Sequence, residues 1–262
     1  MFCPTAFPNI AAALGAEPMP QAERQDMKNW YERFADDLWL KPDDVGAEEA
    51  AFIKKALGLQ RGQSVLDAPC GAGRIAVHLA HAGCKVTGID LRHSFTDRAA
   101  ARFRAEKLDG RFFPFDLRDM EFEAEFDGTY SWLGSFGYFS ETENMEVVRR
   151  YALALRPAGR LLIDQPNREA LLRHFVASDT IRGWTVKNRW DPRTQRIESD
   201  RIVQRDGKEE HNRMSMRLYT PNQMKRLFAS VGLRVEDMYG SRNGEPYARS
   251  SRRLIVVGSR QK

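Results

Sequence analysis

Cysteine is scarce in this chain of 262 residues, which contains only three. Cys3, Cys70 and Cys84 have neither the spacing of a zinc site nor that of a disulfide framework. We therefore expect no bound metal and no disulfide. Cysteine usage of this kind is typical of a protein of the reducing cytoplasm, and we expect that location here.

Long apolar runs are also missing, because no stretch approaches the ~20 residues that a helix needs to cross a bilayer. Residues 1–20 contain four prolines and lack the basic-then-apolar order of a secretory signal. We expect these residues to form a loose N-terminal arm, and we expect no membrane partner.

Lysine is scarce as well, because it supplies only ten of the 41 basic residues and arginine supplies the others. The net charge of the chain is +5. No run of five or more basic residues occurs, so the linear pattern of a nucleic-acid binder is absent. The arginine excess leaves two interpretations open, which are a solvated surface and contact with an acidic substrate or RNA.

The spacing of apolar residues divides the chain into three kinds of segment. Residues 21–40 and 47–59 have helical spacing, and the first of these stretches is rich in aromatic side chains. From 63 to 165, apolar runs alternate with amphipathic ones, which predicts a parallel sheet covered on both faces. Residues 182–219 instead show three alternating runs, which predict an antiparallel insert. A helix over 221–231 and a closing pair of strands complete the chain.

The stretch Val65–Arg74 predicts a strand, a tight turn with Gly71 and Gly73, and a helix. Glycine lets the backbone approach a ligand closely, and the free N–H groups of a helix start point into such a turn. A dinucleotide could bind there, but Asp67 would repel its pyrophosphate. A carboxylate in this place favours a ligand that carries a cation, such as an amino-acid ammonium.

This stretch resembles motif I of the class I S-adenosylmethionine-dependent methyltransferases, acid-x-Gly-x-Gly-x-Gly, with Pro69 at the first glycine position. The order of elements from about 47 to 259 is similar to the sheet of that family. The resemblance implies an α/β fold, with a Rossmann-like, mostly parallel sheet of seven strands, helices on both faces and a closing antiparallel hairpin. The methyltransferase domain would comprise 21–181 and 220–262, with lid helices over 21–59. The antiparallel lobe at 182–219 would serve substrate binding or oligomerisation.

Acidic residues at strand ends are the main cofactor candidates. Asp90 ends the second strand, where it could accept hydrogen bonds from both ribose hydroxyls or cap a helix. By resemblance, Asp116 binds the adenine amino group, with Asp119 as a competitor, and Arg74 meets the methionine carboxylate unless it points into water. The implied cofactor-binding set is Asp67, Ala68, Cys70, Gly71, Gly73, Arg74, Asp90, Leu91, Asp116, Leu117, Trp132 and Gly134.

The stretch 132–139, rich in glycine and aromatic residues, follows the fourth predicted strand, where sheets of this kind bind ligands. The resemblance places it beside the sulfonium and the acceptor, and core packing is the alternative for its phenylalanines. The candidate catalytic residues are Tyr31, Tyr138, Gln165, Glu169 and His174. A surface position is the alternative for Glu169 and His174.

The sequence therefore predicts an enzyme that moves a methyl group from S-adenosylmethionine directly to a small organic acceptor. Arg168, Arg173 and His174 favour an acceptor with an acidic group. Three alternatives stay open: an RNA or protein methyltransferase, a cofactor-binding interaction protein without catalysis, and a NAD-dependent oxidoreductase. The inserted lobe also offers a surface for a homo-oligomer.

Overall fold

A computed structural model describes residues 45–181, 183–205 and 208–261. The predicted N-terminal arm, the first lid helix and Tyr31 lie outside the described residues. Within those three ranges, no helix is long and apolar enough to cross a membrane.

The first part of the described chain alternates helices and strands as predicted. Its elements are α1 (Gly46–Leu57), β1 (Ser64–Asp67), α2 (Ala76–His81), β2 (Lys85–Ile89), α3 (His93–Ala105), β3 (Gly110–Phe113), a 3₁₀ turn (Leu117–Asp119), β4 (Phe126–Ser131), α4 (Glu141–Ala154) and β5 (Leu155–Pro166). The second part contains α5 (Arg168–Arg173), β6 (Ser178–Ile181), β7 (Trp184–Asp191), β8 (Arg196–Arg205), β9 (Lys208–Arg217), α6 (Pro221–Ser230), β10 (Leu233–Tyr239) and β11 (Arg253–Arg260).

Seven strands form one sheet in the order β10-β11-β5-β4-β1-β2-β3. Strands β1 to β5 pair in parallel, whereas β11 runs antiparallel to both of its neighbours. The predicted seven-stranded, mostly parallel sheet with a closing hairpin is confirmed. The strand order reverses between β1 and β4, so the crevice of this fold lies at their carboxyl ends.

Successive residues of each central strand bury opposite faces of the sheet, because side chains alternate along a strand. Leu66 and Ile163 join one core cluster with side chains of α4 and α6. Val65 and Leu162 join a second cluster with side chains of α1 and α2. Helices therefore cover both faces, as predicted.

The inserted lobe is a separate antiparallel sheet with the order β6-β7-β8-β9. The lobe thus starts at Ser178 rather than at 182, and it has one strand more than predicted. Strand β6 is short and fully exposed, so its residues carry no alternating apolar pattern that sequence analysis could detect. The lobe contacts the main domain through Ile197, Met216 and Leu218, which pack with Tyr138 and Leu171.

Candidate functional site

Two glycines with positive φ shape the turn after β1, with values of 52° at Gly71 and 77° at Gly73. A Cβ on Gly73 would lie 2.9 Å from the Cβ of Ala99, so this glycine lets α3 pack against the turn. A Cβ on Gly71 would meet no atom of the described chain within 4 Å. Among the described residues, the space in front of Gly71 is therefore open, and a ligand could reach the backbone there.

Asp90 follows β2 directly and is almost fully buried beside this turn. One carboxylate oxygen accepts the Gly71 N–H at 2.9 Å, and the other accepts the Arg92 N–H at 3.0 Å. Arg92 is the N-cap of α3, so Asp90 does help to start that helix. Each carboxylate oxygen has a second lone pair, and the same geometry can therefore also accept ribose hydroxyls.

Asp67 ends β1 and is 3% exposed. Burial raises the pKa of its carboxyl to about 8, against the lowering effect of the Tyr130 hydroxyl. The charge of Asp90 raises this pKa further, and the charge of Arg74 lowers it. Two buried acids on neighbouring strand ends therefore make this edge of the sheet a place that attracts a cation.

Backbone contacts hold the rest of the turn between its neighbouring strands. The Ala68 N–H donates to Tyr130 at 3.1 Å, and the Cys70 N–H donates to Ile89 at 2.8 Å. Both side chains are buried, and burial raises the pKa of the Cys70 thiol. These two predicted binding residues thus fix the turn that carries Gly71.

Asp116 is engaged by Arg118, whose Nε and Nη2 donate to its two oxygens at 3.0 and 2.7 Å. Arg118 also donates to Glu143 at 2.9 Å, and its Cζ lies 4.5 Å from the Phe139 ring centroid. Asp116 therefore helps to join the turn after β3 to the start of α4, and its binding of adenine stays a prediction. Asp119 is exposed.

An aromatic surface next to this turn escaped the sequence analysis. Phe113 and Phe115 stack with their ring centroids 5.6 Å apart, and Phe115 is 45% exposed. They lie at the carboxyl end of β3, close in sequence to the predicted Leu117. The position of two phenylalanines on either side of Pro114 was the signal that could have identified them.

Arg74 lies two residues before α2, which begins at Ala76, so it belongs to the glycine turn and not to the helix. Its Nη2 pairs with Glu49 of α1. Glu49 is buried and was not among the predicted residues, because it lies 25 positions earlier on an ordinary amphipathic helix.

The stretch 132–139 is held by the sheet on one side and by the lobe on the other. The Leu133 N–H donates to the Asp164 carboxylate at 2.9 Å, and Arg253 pairs with that carboxylate at 2.6 Å. From the lobe, Arg196 donates to the carbonyl oxygens of Gly137, Tyr138 and Phe139 at 3.0–3.1 Å. The lobe therefore fixes the backbone of this stretch.

Tyr138 lies where this stretch meets the lobe and packs in the cluster that contains Ile197 and Met216. Burial raises the pKa of its hydroxyl to about 12, although the charges of Arg201 and Arg253 lower it. Tyr138 is therefore protonated at neutral pH and can donate a hydrogen bond, but it is not a base. Phe136 is buried and stacks on Tyr219, as the core-packing alternative predicted.

Gln165 is fully buried. Its Nε2 donates to the carbonyl oxygen of Tyr219 at 2.6 Å, and its Oε1 accepts the Tyr219 N–H at 3.4 Å. Gln165 holds the chain after the lobe through both ends of its amide, and its role toward an acceptor stays a prediction. His174 ends α5 and is exposed, as the surface alternative predicted.

The remaining polar residues of α5 also have local partners. Arg168 donates to Gln195 at 3.1 Å, and Glu169 lies 3.6 Å from Arg249, whereas Arg173 is exposed. The roles of Glu169 and His174 as bases stay predictions.

Comparison with known proteins identifies the class. Residues 65–159 match the family model described as a methyltransferase domain. The cypemycin N-terminal methyltransferase of Streptomyces sp is 27% identical over 227 residues, which cover 82% of this chain and 90% of that protein. A relative from Geobacillus sp. (strain WCH70) is 30% identical over 139 residues, and this chain covers about half of its length (54%).

Solved structures share the fold. The CcbJ methyltransferase from Streptomyces caelestis superposes with a TM-score of 0.73 at 18% identity, covering 90% of this chain and 96% of that one. The sugar N-methyltransferase KedS8 from Streptoalloteichus sp ATCC 53650 superposes with a TM-score of 0.63 at 22% identity, covering 87% of this chain and 94% of that one. The strand order, the glycine turn and the strand-end acids therefore accompany a match to the methyltransferase domain over residues 65–159, and the fold is that of solved methyltransferases.

Proposed function

We propose that this protein transfers the methyl group of S-adenosylmethionine to an amine nitrogen of a small organic acceptor. The observation that carries the proposal is the open space before Gly71, bordered by the buried acids Asp67 and Asp90, at the crevice between β1 and β4. The stretch 132–139 begins directly after β4, so an acceptor held there would lie next to the same crevice.

The residues present fit the cofactor. In this proposal, Asp90 would accept the ribose hydroxyls, and Asp67 would accept the ammonium of the methionine part. The bound cofactor would supply a methyl group on a sulfonium, ready for direct displacement. The protein then has to align two reactants and exclude water, and such positioning contributes ~7–11 kcal/mol to barrier reduction.

A small acceptor fits the surroundings of Tyr138. Trp190, Met214 and Met216 of the lobe pack in the same cluster, so the face of the lobe toward the main domain is apolar and aromatic. A small ligand suits a surface of this kind, because sites for small molecules are lined mostly by hydrophobic and aromatic side chains. RNA would instead need an open basic groove with exposed stacking residues.

An amine nucleophile suits the charges around Tyr138. Arg201 and Arg253 act on this tyrosine, and positive charges lower the pKa of a nearby amine. The acceptor would thus be held as the neutral, nucleophilic amine, without a dedicated base. The name of KedS8 specifies nitrogen methylation of a sugar, and the name of the Streptomyces sp relative specifies an amino-terminal position.

We assign recognition of an acidic group on the acceptor to Arg201 of β8. The face of β8 that carries Ile197, which packs with Tyr138, also carries Arg201, because side chains alternate along a strand. Arg173 and His174, which the sequence favoured for this task, are exposed on the far end of α5.

A peptide amino terminus is the second candidate acceptor, favoured by the similarity to the cypemycin enzyme over 90% of that protein. A peptide amino terminus offers the same nucleophile as a small amine acceptor, an α-amine next to polar groups, but it belongs to a larger molecule.

Methyl-labelled S-adenosylmethionine tests the proposal directly. The protein would be incubated with amino sugars, amino acids and short peptides, and mass spectrometry would locate the label. We expect label on an amine, and much less of it with the Asp90→Ala variant at a micromolar cofactor concentration. Label on RNA or on oxygen alone would contradict the proposed acceptor, and cofactor binding without any transfer would favour an interaction protein.

A further inference from the structure

We propose that Asp164 is a positioning residue for methyl transfer: it fixes the turn formed by Leu133 and Gly134 at the crevice, and Arg253 of β11 holds Asp164 in turn. The inference rests on the proposed function, because it concerns the same transfer. Asp164 would act through the backbone of the stretch 132–139 and not on the reacting atoms.

Leu133 adopts a backbone conformation that few side chains tolerate. Its φ is 61°, and Gly134 follows with a φ of 75°. Glycine enters this left-handed region freely, whereas the Cβ of leucine makes it unfavourable. Backbone strain of this kind persists only where the surroundings hold it, and it is concentrated at functional sites. The contacts of Leu133 therefore show what maintains the turn.

Asp164 accepts hydrogen bonds from both residues of the turn. Its Oδ2 accepts the Leu133 N–H at 2.9 Å, and its backbone carbonyl oxygen accepts the Gly134 N–H at 3.2 Å. Asp164 lies near the carboxyl end of β5, between β4 and β11, and is fully buried. One residue inside the sheet thus fixes two successive amides of the turn.

Arg253 compensates the buried charge of this carboxylate. Its Nε donates to Oδ1 of Asp164 at 2.7 Å, and its Nη2 lies 2.6 Å from Oδ2. Burial raises the pKa of Asp164, and the charge and the hydrogen bond of Arg253 lower it. Because a charged acceptor makes a stronger hydrogen bond than a neutral one, Arg253 strengthens the hold of Asp164 on the Leu133 N–H.

The turn lies where its geometry affects the crevice. It follows β4, and Tyr130 of that strand pairs with Asp67 of β1, so this turn and the glycine turn leave neighbouring strands at the switch point of the sheet. The same stretch carries Tyr138 onto the lobe. A shift at Leu133 would therefore move the acceptor side relative to the cofactor side.

Amide hydrogen exchange tests the hold of Asp164 on the turn and needs no acceptor. In Asp164→Asn, one uncharged oxygen replaces two charged ones and cannot keep both contacts. Mass spectrometry of the segment 132–139 should show exchange about 10- to 100-fold faster, the range for a lost hydrogen bond to a charged group. Unchanged exchange would overturn the proposal.

Asp127→Asn is the matched control. Asp127 also accepts a backbone N–H, that of Ser64 at 2.8 Å, and pairs with Arg156 at 2.9 Å. It lies at the amino end of β4, on the edge of the sheet away from the crevice. This variant should leave exchange of the segment 132–139 and turnover unchanged.

Turnover tests the role in the reaction. With S-adenosylmethionine and the amine that gains label in the experiment above, Asp164→Asn should lower kcat by about 10- to 100-fold, because small displacements of a reacting pair are costly. Calorimetry should show the affinity for S-adenosylhomocysteine changed by less than about threefold. An equal loss of kcat and affinity would overturn the proposal, because the turn would then serve cofactor binding.

Glycine at position 133 supplies a test that a loss of stability cannot imitate. Since glycine reaches positive φ unaided, Asp164→Asn should cost at least about fivefold less in kcat in the Leu133→Gly background than in the wild type. Asparagine also tolerates this region, so Leu133→Asn carries the cycle if Leu133→Gly does not fold. Additive effects would overturn the role of the backbone turn.

The outcomes separate this inference from the proposed function. If the wild-type protein transfers no methyl group to any amine, the proposed function fails, and the role of Asp164 in the transfer fails with it. If the wild-type protein is active and Asp164→Asn keeps its turnover, only the inference about Asp164 fails.

Discussion

The two sides of the crevice carry opposite charge. On the cofactor side, buried carboxylates end β1 and β2, at Asp67 and Asp90. On the acceptor side, arginines from the lobe and from β11 surround Tyr138. The first arrangement suits a ligand with a cationic group, and the second suits a neutral nucleophile with an acidic group. In the proposed function, these opposite charges would orient the cofactor and the acceptor toward one another.

The two sides also differ in how they are built. The cofactor side is made by residues at the carboxyl ends of two adjacent strands, β1 and β2, so the sheet itself sets their positions. The acceptor side depends on contacts between segments far apart in the chain, such as Arg196 with the carbonyl oxygens of 137–139. Substitutions should thus separate cofactor binding from turnover.

The largest expected effect is on the cofactor side. Asp90→Ala should weaken binding of S-adenosylhomocysteine by ~2–4 kcal/mol, because two charged hydrogen bonds to the ribose are lost and water replaces them in part. Titration calorimetry measures this. The melting temperature should fall too, since Asp90 also accepts two backbone N–H groups. The exposed Asp97→Ala is the control, and unchanged affinity in Asp90→Ala would reduce Asp90 to a helix cap.

Arg196→Met should do the reverse and lower turnover while leaving cofactor affinity unchanged. Three carbonyl contacts to the stretch 132–139 are lost, and a displacement of about 1 Å in a reacting pair can cost ~10²-fold in rate. Steady-state kinetics and calorimetry on the same variant make the comparison. Arg213→Met, on an exposed lobe position, should keep full turnover. A large loss of cofactor affinity in Arg196→Met would show that the two sides are not separable.

A change of pH is expected to have a smaller effect on the affinity for the cofactor. The pKa of Asp67 is raised to about 8 by burial, so only about a tenth of this carboxyl is ionised at pH 7. Binding an ammonium ligand requires the ionised carboxyl and the protonated ligand amine, so affinity should rise as the pH increases from about 6 toward 8 and stop rising where the α-amine of the ligand loses its proton, at about pH 8. Calorimetry in buffers of different ionisation enthalpy should detect proton release at pH 7. A pH-independent affinity would contradict the role of Asp67.

Without cofactor, the same group acts on stability with the opposite sign. Because the pKa of Asp67 is raised, the folded protein between about pH 4 and pH 8 still holds a proton that the unfolded chain has already released. The contribution of Asp67 is thus complete below pH 4 and is lost as the pH rises through 8. Asp67→Asn should remove this dependence from thermal melting curves.

The smallest expected effect separates a small acceptor from RNA. An acid held by one arginine should lose only a few-fold in affinity between 50 and 200 mM salt. An RNA with six to ten neutralised phosphates would lose about 10³–10⁵-fold. Acceptor binding measured across this salt range therefore checks the acceptor class. A steep salt dependence together with methyl transfer to RNA would contradict the small-molecule proposal.

The same contrast explains what the sequence could predict. The glycine turn and its flanking acids were found because they are local: a strand end, two glycines and the next strand end follow at short intervals. The alternating pattern also predicted the sheet and the kind of insert. Strand β6 was missed because it is short and exposed, with no apolar alternation.

The remaining contacts depend on tertiary packing. Glu49 meets Arg242 across 193 positions, and Gln165 meets Tyr219 across 54, so neither partner can be read from its own neighbourhood. Gln165 was predicted to face an acceptor because it follows the fifth strand, and only the packed structure shows that its amide is used by the backbone.

Calorimetry with S-adenosylhomocysteine and with NAD, under one set of conditions, tests the central claim most directly. The glycine turn, with Asp67 at its start, predicts micromolar binding of S-adenosylhomocysteine (about −8 kcal/mol) and no binding of NAD. Tighter binding of NAD would contradict the assignment of the crevice to S-adenosylmethionine.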